Sequence, residues 1–164
     1  MDPISTPRLA DFLVTAKRRT YAGLDDDATV AAPILRGSKQ LEYSEPNLSY
    51  RDIYFGMAFF VGQETVQETV IAGERVIWSM SYAGGVSPDI SDRSSFLAIY
   101  AFLRQALLAI PEERPFRGPP QFEQGNLRYE NISGGDISCF HGTERIYQAG
   151  MQVYGLRYSG GAIR

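Results

Sequence analysis

Two glutamates in this sequence occupy positions where a carboxylate is costly. Glu64 lies two residues after Gly62 and four after Phe60, and Glu144 stands in the same relation to Gly142 and Phe140. Side chains alternate between the faces of a strand, so Glu64 shares a face with Phe60 and Val66, and Glu144 with Phe140 and Ile146. A carboxylate turned toward an apolar side must be hydrogen-bonded or paired, and its pKa tends to rise. That is the setting of a general acid or base, or of a group that grips a polar ligand. The competing reading is architectural, with each glutamate tying down a turn or pairing with arginine. A bulge at either glycine would reverse the parity and expose the glutamate.

Other residues offer weaker chemistry. His141 is the sole histidine and falls on the face opposite Glu144, together with Cys139. Side chains two apart on a strand are ~7 Å apart, which allows a Cys–His nucleophile pair, but metal sites and triads need further partners at set spacings. A surface pair without a chemical role is the plainer reading. Trp78, Met80 and Tyr82 form one row, and Tyr154, Leu156 and Tyr158 another. Such rows are either core or, through the tyrosine hydroxyls, the lining of a polar aromatic pocket. Arg117 sits in a loop with Pro111, Pro115, Pro119 and Pro120, where it would meet an anionic ligand or brace a carboxylate. Gly84-Gly85 and Gly160-Gly161 lack the lysine and the helix start of a phosphate loop. Asp25-Asp26-Asp27 cannot all face one calcium ion on ordinary backbone, and reads as solvated. Neither a metal nor a nucleotide cofactor is expected.

The elements that must position these groups follow from periodicity. Thr6-Pro7 reads as a cap and first helical residue, and Leu9, Phe12, Leu13 and Ala16 recur at helical spacing, predicting a helix over about 7–20. Lys17-Arg18-Arg19 closes it and complements its dipole. A polar, small-residue stretch from Ala22 to Gly37 reads as a surface loop. From Gln40 the period becomes two, with turns marked by Gly56 and Ala72-Gly73, predicting a four-stranded antiparallel meander. Ser91-Asp92 caps a second helix bearing Phe96, Leu103, Leu107 and Ile110, and Pro111 stops it. A second set of alternating strands runs from Phe122 to the end.

The two halves match in order. Asn47-Leu48-x-Tyr50 returns as Asn126-Leu127-x-Tyr129, and Phe60-x-Gly62-x-Glu64-x-Val66 as Phe140-x-Gly142-x-Glu144-x-Ile146. Trp78-x-Met80-x-Tyr82-x-Gly84-Gly85 returns as Tyr154-x-Leu156-x-Tyr158-x-Gly160-Gly161. Phe12-Leu13 and Ala16 align with Phe102-Leu103 and Ala106. The reading is therefore a single α+β domain over 1–164, made of two tandem repeats of a helix plus a four-stranded antiparallel meander, at about 5–86 and 91–164. One such unit leaves apolar surface that a second can cover, so the halves should pack about a pseudo-two-fold axis with a groove between them. The order of elements in each half is that of a cystatin-like wrap.

Composition narrows the function. At 164 residues with 44% hydrophobic and 21% charged residues, the chain suits one globular domain with a real core. A net charge of −3 gives no concentrated basic face, so nucleic acid is not an expected partner. The most apolar stretch, Phe96 to Ile110, contains Arg104 and is shorter than a membrane span, so no membrane role is expected. Cys139 is the only cysteine and excludes an internal disulfide, and Met1-Asp2-Pro3 does not open a secretion signal; a soluble, cytoplasmic protein is expected. A homodimer is compatible with this composition.

The series Phe12-Leu13-x-x-Ala16-Lys17, Thr20-Tyr21-Ala22, Gly62-x-Glu64, Val76-x-Trp78-x-Met80-x-Tyr82 and Phe102-Leu103-x-x-Ala106-Leu107 continues through Pro115-x-Arg117-Gly118-Pro119, Gly135-Asp136, Phe140-x-Gly142-x-Glu144 and Tyr158-x-Gly160-Gly161. Together these resemble the bacterial domain-of-unknown-function 5680 family across nearly the whole chain. No activity defines that family. The resemblance implies that some members follow a helix-turn-helix segment, which would make this domain effector-sensing, although this chain starts directly at the first helix. The leading expectation is a small-molecule-binding domain with its ligand between the halves, gripped by the glutamates, by Trp78, Tyr82, Tyr154 and Tyr158, and by Arg117. The alternatives are a cofactor-independent acid–base enzyme of isomerase or cyclase type, with Glu64, Glu144 or His141 as candidates, and a protein-interaction module.

Overall fold

The computed structural model describes residues 5–23 and 32–164, so Asp25-Asp26-Asp27 and part of the expected loop lie outside the described residues. Helix α1 is Thr6–Arg19. Its cap is Ser5, one residue earlier than Thr6, and Pro7 falls in the first turn, where its missing N–H costs nothing. The strands of the first half are β1 (Lys39–Glu45), β2 (Leu48–Gly56), β3 (Phe59–Val70) and β4 (Gly73–Val86). Helix α2 is Arg93–Leu108, and the Asp92 side chain caps it by accepting from Ser95 N at 2.8 Å. Four strands follow: β5 (Gln121–Gln124), β6 (Leu127–Asp136), β7 (Cys139–Gln148) and β8 (Met151–Ala162).

The fold is α+β, with all eight strands in one antiparallel sheet of order β1-β2-β3-β4-β8-β7-β6-β5. The central β4–β8 pair registers Met80 with Gly160, Tyr82 with Tyr158, and Gly84 with Leu156. On either side of it the pairings run in parallel. Glu64 opposes Met80 and Val66 opposes Trp78 on one side; Glu144 opposes Leu156 and Ile146 opposes Tyr154 on the other. Each of these ladders slips once, just after Val66 and just after Ile146. The slips come beyond the glutamates, so neither reverses its parity.

Both helices lie on one face of the sheet. Lys17 of α1 bonds to Glu64, and Tyr100 of α2 packs on Phe60 and Tyr154, all from the same side. That side holds the core, including Leu13, Ala16, Val66, Trp78, Met80, Leu103, Ala106, Ile146, Tyr154 and Leu156. Among the described residues the other face carries no helix. The basic run at the end of α1 does more than complement its own dipole: Arg18 donates to the carbonyls of Leu108 and Ile110, at 3.2 and 3.1 Å, and so caps the C-terminus of α2. Among the described residues, no helix is long and apolar enough to cross a membrane.

Candidate functional site

Strand alternation places both glutamates on the helix-covered face, where Glu64 is 2% and Glu144 0% exposed. Glu144 is held by three groups. Arg117 donates to both of its oxygens, at 2.7 and 3.1 Å, and the hydroxyls of Tyr129 and Tyr154 add bonds of 2.7 and 2.9 Å. Two parallel N–H bonds from guanidinium to carboxylate give the strongest common pairing geometry. Burial by itself would lower the Arg117 pKa, but Glu144 beside it holds the guanidinium well above its ordinary range. Burial, then the Glu144 charge, raises the phenols of Tyr129 and Tyr154 well above theirs. These tyrosines are fixed donors.

Glu64 is held from the helix side. Lys17 Nζ donates to Glu64 and also to the carbonyl of Phe116, the latter at 2.8 Å. Burial pulls the Lys17 pKa below its ordinary value, and the Glu64 charge works against that pull. Tyr50 faces Glu64, and its phenol is raised by burial and by the carboxylate. The position on β2 opposite Glu64 is Asp52; the position on β6 opposite Glu144 is Asn131. Tyr82 donates to Asp52 at 2.6 Å, and Tyr158 donates to Asn131 at 2.8 Å. The two halves thus carry the same cross-strand arrangement, with a carboxylic acid in one and a neutral amide in the other.

Gly62 and Gly142 make those tyrosine bonds available. A Cβ on Gly62 would overlap the ring and hydroxyl of Tyr82, and one on Gly142 those of Tyr158. The Gly-x-Glu motif therefore lets the facing tyrosine fold across the strand toward Asp52 or Asn131. Gly84 and Gly160 serve packing as well, since a Cβ there would meet the Leu156 or Met80 backbone on the paired strand.

The two clusters meet in the middle of the sheet. The Pro111–Pro120 loop inserts Phe116 flat against Phe140 at 3.9 Å and sets the Arg117 guanidinium 5.7 Å from the Tyr82 ring centre. Asp52, Glu64 and Glu144 then share the middle of the interior with the cations Lys17 and Arg117, while the buried Glu68 pairs apart from them with Arg75. Lys17 is committed to Glu64 and Arg117 to Glu144; among the described residues Asp52 forms no ion pair. Burial first and the Glu64 charge second raise its pKa to about 7, against the opposing pull of Tyr82, Lys17 and Arg117. Asp52 can therefore take up or release a proton near neutrality.

The remaining predicted residues fall in three places. Trp78 and Tyr154 are wholly buried, and Trp78 donates to the Ile137 carbonyl at 3.2 Å. Tyr82 and Tyr158 are core residues whose hydroxyls bond Asp52 and Asn131 as described. Arg117 braces Glu144, the second of the two roles its loop position suggested. His141 and Cys139 are exposed on the opposite face and touch none of this. Among the described residues no group of His, Cys, Asp and Glu could hold a metal. A cavity of about 260 Å³ lined by Ser94, Ser95, Ala98, Ile99, Leu127 and Gln148 contains none of the predicted residues.

Sequence reasoning passed over Lys17, Tyr50, Asp52, Tyr129 and Asn131 as site residues. The signals were present. Lys17 continues the apolar stripe of Leu9, Phe12, Leu13 and Ala16, and Asp52 alternates in phase with Leu48 and Tyr50. Residues 52–163 match the family described as Domain of unknown function (DUF5680), a span that takes in every residue of the cluster except Lys17 and Tyr50. No curated protein and no solved structure matches the chain.

Proposed function

The chain belongs to the DUF5680 family, and we propose that it is a small-molecule-binding, effector-sensing domain whose polar ligand bonds to Asp52. One observation carries this reading. Asn131 does in the second half what Asp52 does in the first, so the fold needs only an acceptor for a tyrosine hydroxyl. A carboxylic acid there adds a titratable group that no cation of the cluster neutralises. Buried groups of that kind concentrate at functional sites. Partly exposed Tyr54 lies two residues along the same face of β2. Duplication of a helix-plus-meander unit underlies the arrangement; the matching registers and slips of the two ladders support it. The single, exposed Cys139 suits a reducing compartment, and we place the protein in the cytoplasm.

The test is a ligand-screening thermal shift on the wild type, Asp52→Asn, Glu64→Gln and Glu144→Gln. Hits should lose their shift in Asp52→Asn, which keeps the hydrogen-bonding shape. Shifts that survive in Asp52→Asn would move the site elsewhere. A second reading is an acid–base enzyme on a small organic substrate, with Asp52 as the proton carrier in place of the glutamates, whose oxygens are occupied by cations and phenols. The pKa near 7 favours it. It requires turnover that Asp52→Asn abolishes while ligand affinity remains.

A further inference from the structure

We propose that the helix-free face of β2 and β3 is a homodimer interface, covered by the same face of a second copy of this chain. Phe55, Met57, Phe59 and Val61 are 44%, 65%, 64% and 50% exposed. Phe55 and Val61 are direct cross-strand partners, Phe59 is two residues from Val61 on the same face, and Met57 sits in the turn joining the strands. Scattered exposed apolar residues are ordinary, but a contiguous group is not.

The chain contains its own control. Phe55 and Val61 correspond in register to Gly134 and His141, and Phe59 to Cys139, on the same backbone frame in the second half. At those three positions the side chains are small or polar, so the fold itself does not demand apolar side chains there. This comparison rests on the duplication proposed above; the exposure of the patch does not.

Size and charge choose the occupant. The four side chains leave roughly 400–500 Å² of apolar surface in water, the upper range for a monomer. Two copies face to face would cover roughly 1,000 Å² once the rim is counted, about where specific interfaces begin. The neighbours on this face, Ile53, Gln63, Ser81 and Ala83, are uncharged; the charges beyond them are Arg157, past Ala83, and Arg51, past Ile53, which is paired with Glu42. A strongly charged partner would find little to pair with. An uncharged, self-complementary patch meets its own copy through a two-fold axis, as sheet faces pack ~10 Å apart.

Sedimentation velocity of the full chain over a concentration series tests this. The wild type should dimerise, Phe59→Ser with Val61→Thr should weaken the dimer at least about tenfold, and Ile132→Ser, at an exposed apolar site on the same face of β6, should leave it unchanged. Circular dichroism and thermal unfolding check that each variant is folded; if the first pair is not, Phe55→Thr with Met57→Ser carries the same expectation. A wild type monomeric throughout, or a dimer equally tight in the folded patch variants, overturns the proposal. A monomer that binds neutral phospholipid vesicles through these residues overturns it too, and assigns the patch to a lipid surface.

Discussion

At the scale of single residues, Asp52 makes stability depend on pH in an unusual direction. A carboxyl with a folded pKa near 7 and an ordinary unfolded value near 3.8 binds more protons folded than unfolded between those limits. Its stabilising contribution is present at acid pH and is lost as pH rises toward 7. At ~1.4 kcal/mol per pKa unit, roughly 4 kcal/mol is at stake. Urea unfolding of Asp52→Asn from pH 4 to 8 should lose this slope, and a slope as steep as that of the wild type would assign it to another group. Glu144 tests the opposite situation. Glu144→Gln strands Arg117 in the interior and should cost about 3–5 kcal/mol, whereas adding Arg117→Met should recover much of it. Alternation made both glutamates readable as inward-facing. It could not show which cation meets each one, because Lys17 and Arg117 arrive from 47 and 27 residues away.

At the scale of elements, Gly62 and Gly142 leave the room that lets a tyrosine of the paired strand fold across them. Gly142→Ala would drive a methyl into the Tyr158 ring, displacing its hydroxyl from Asn131. We expect a loss of about 1–3 kcal/mol in urea unfolding, typical of overpacking, with a change in the near-ultraviolet tyrosine signal. Tyr158→Ala should partly suppress the loss, because the two substitutions act on one contact. Additive costs would place the strain somewhere else. The helices and strands themselves were legible, since their periods and the Asp92 cap are local properties. The contribution of Arg18 to the end of α2 was not, because helix-end signals concern a chain's own carbonyls rather than those of a neighbour.

At the scale of the molecule, the sheet separates a polar, proton-bearing interior from a face that, among the described residues, carries no helix and holds an apolar corner. The interior cluster spans both halves through Arg117, which bonds Glu144 and lies against Tyr82, so the halves should unfold together. Calorimetry of the wild type should give one transition with equal calorimetric and van't Hoff enthalpies; two resolved transitions would mean that the halves are independent. The sequence by itself determined the fold class, the element order and the inward aim of Glu64 and Glu144, because each depends on spacing along the chain. Tertiary structure alone decided that both glutamates are ion-paired, that Phe116 and Arg117 fill the space between the halves, and that Asp52 is the carboxyl left over. Those outcomes depend on which distant side chains meet in a medium of low dielectric, where pairing, rather than residue type, sets the charge a group carries.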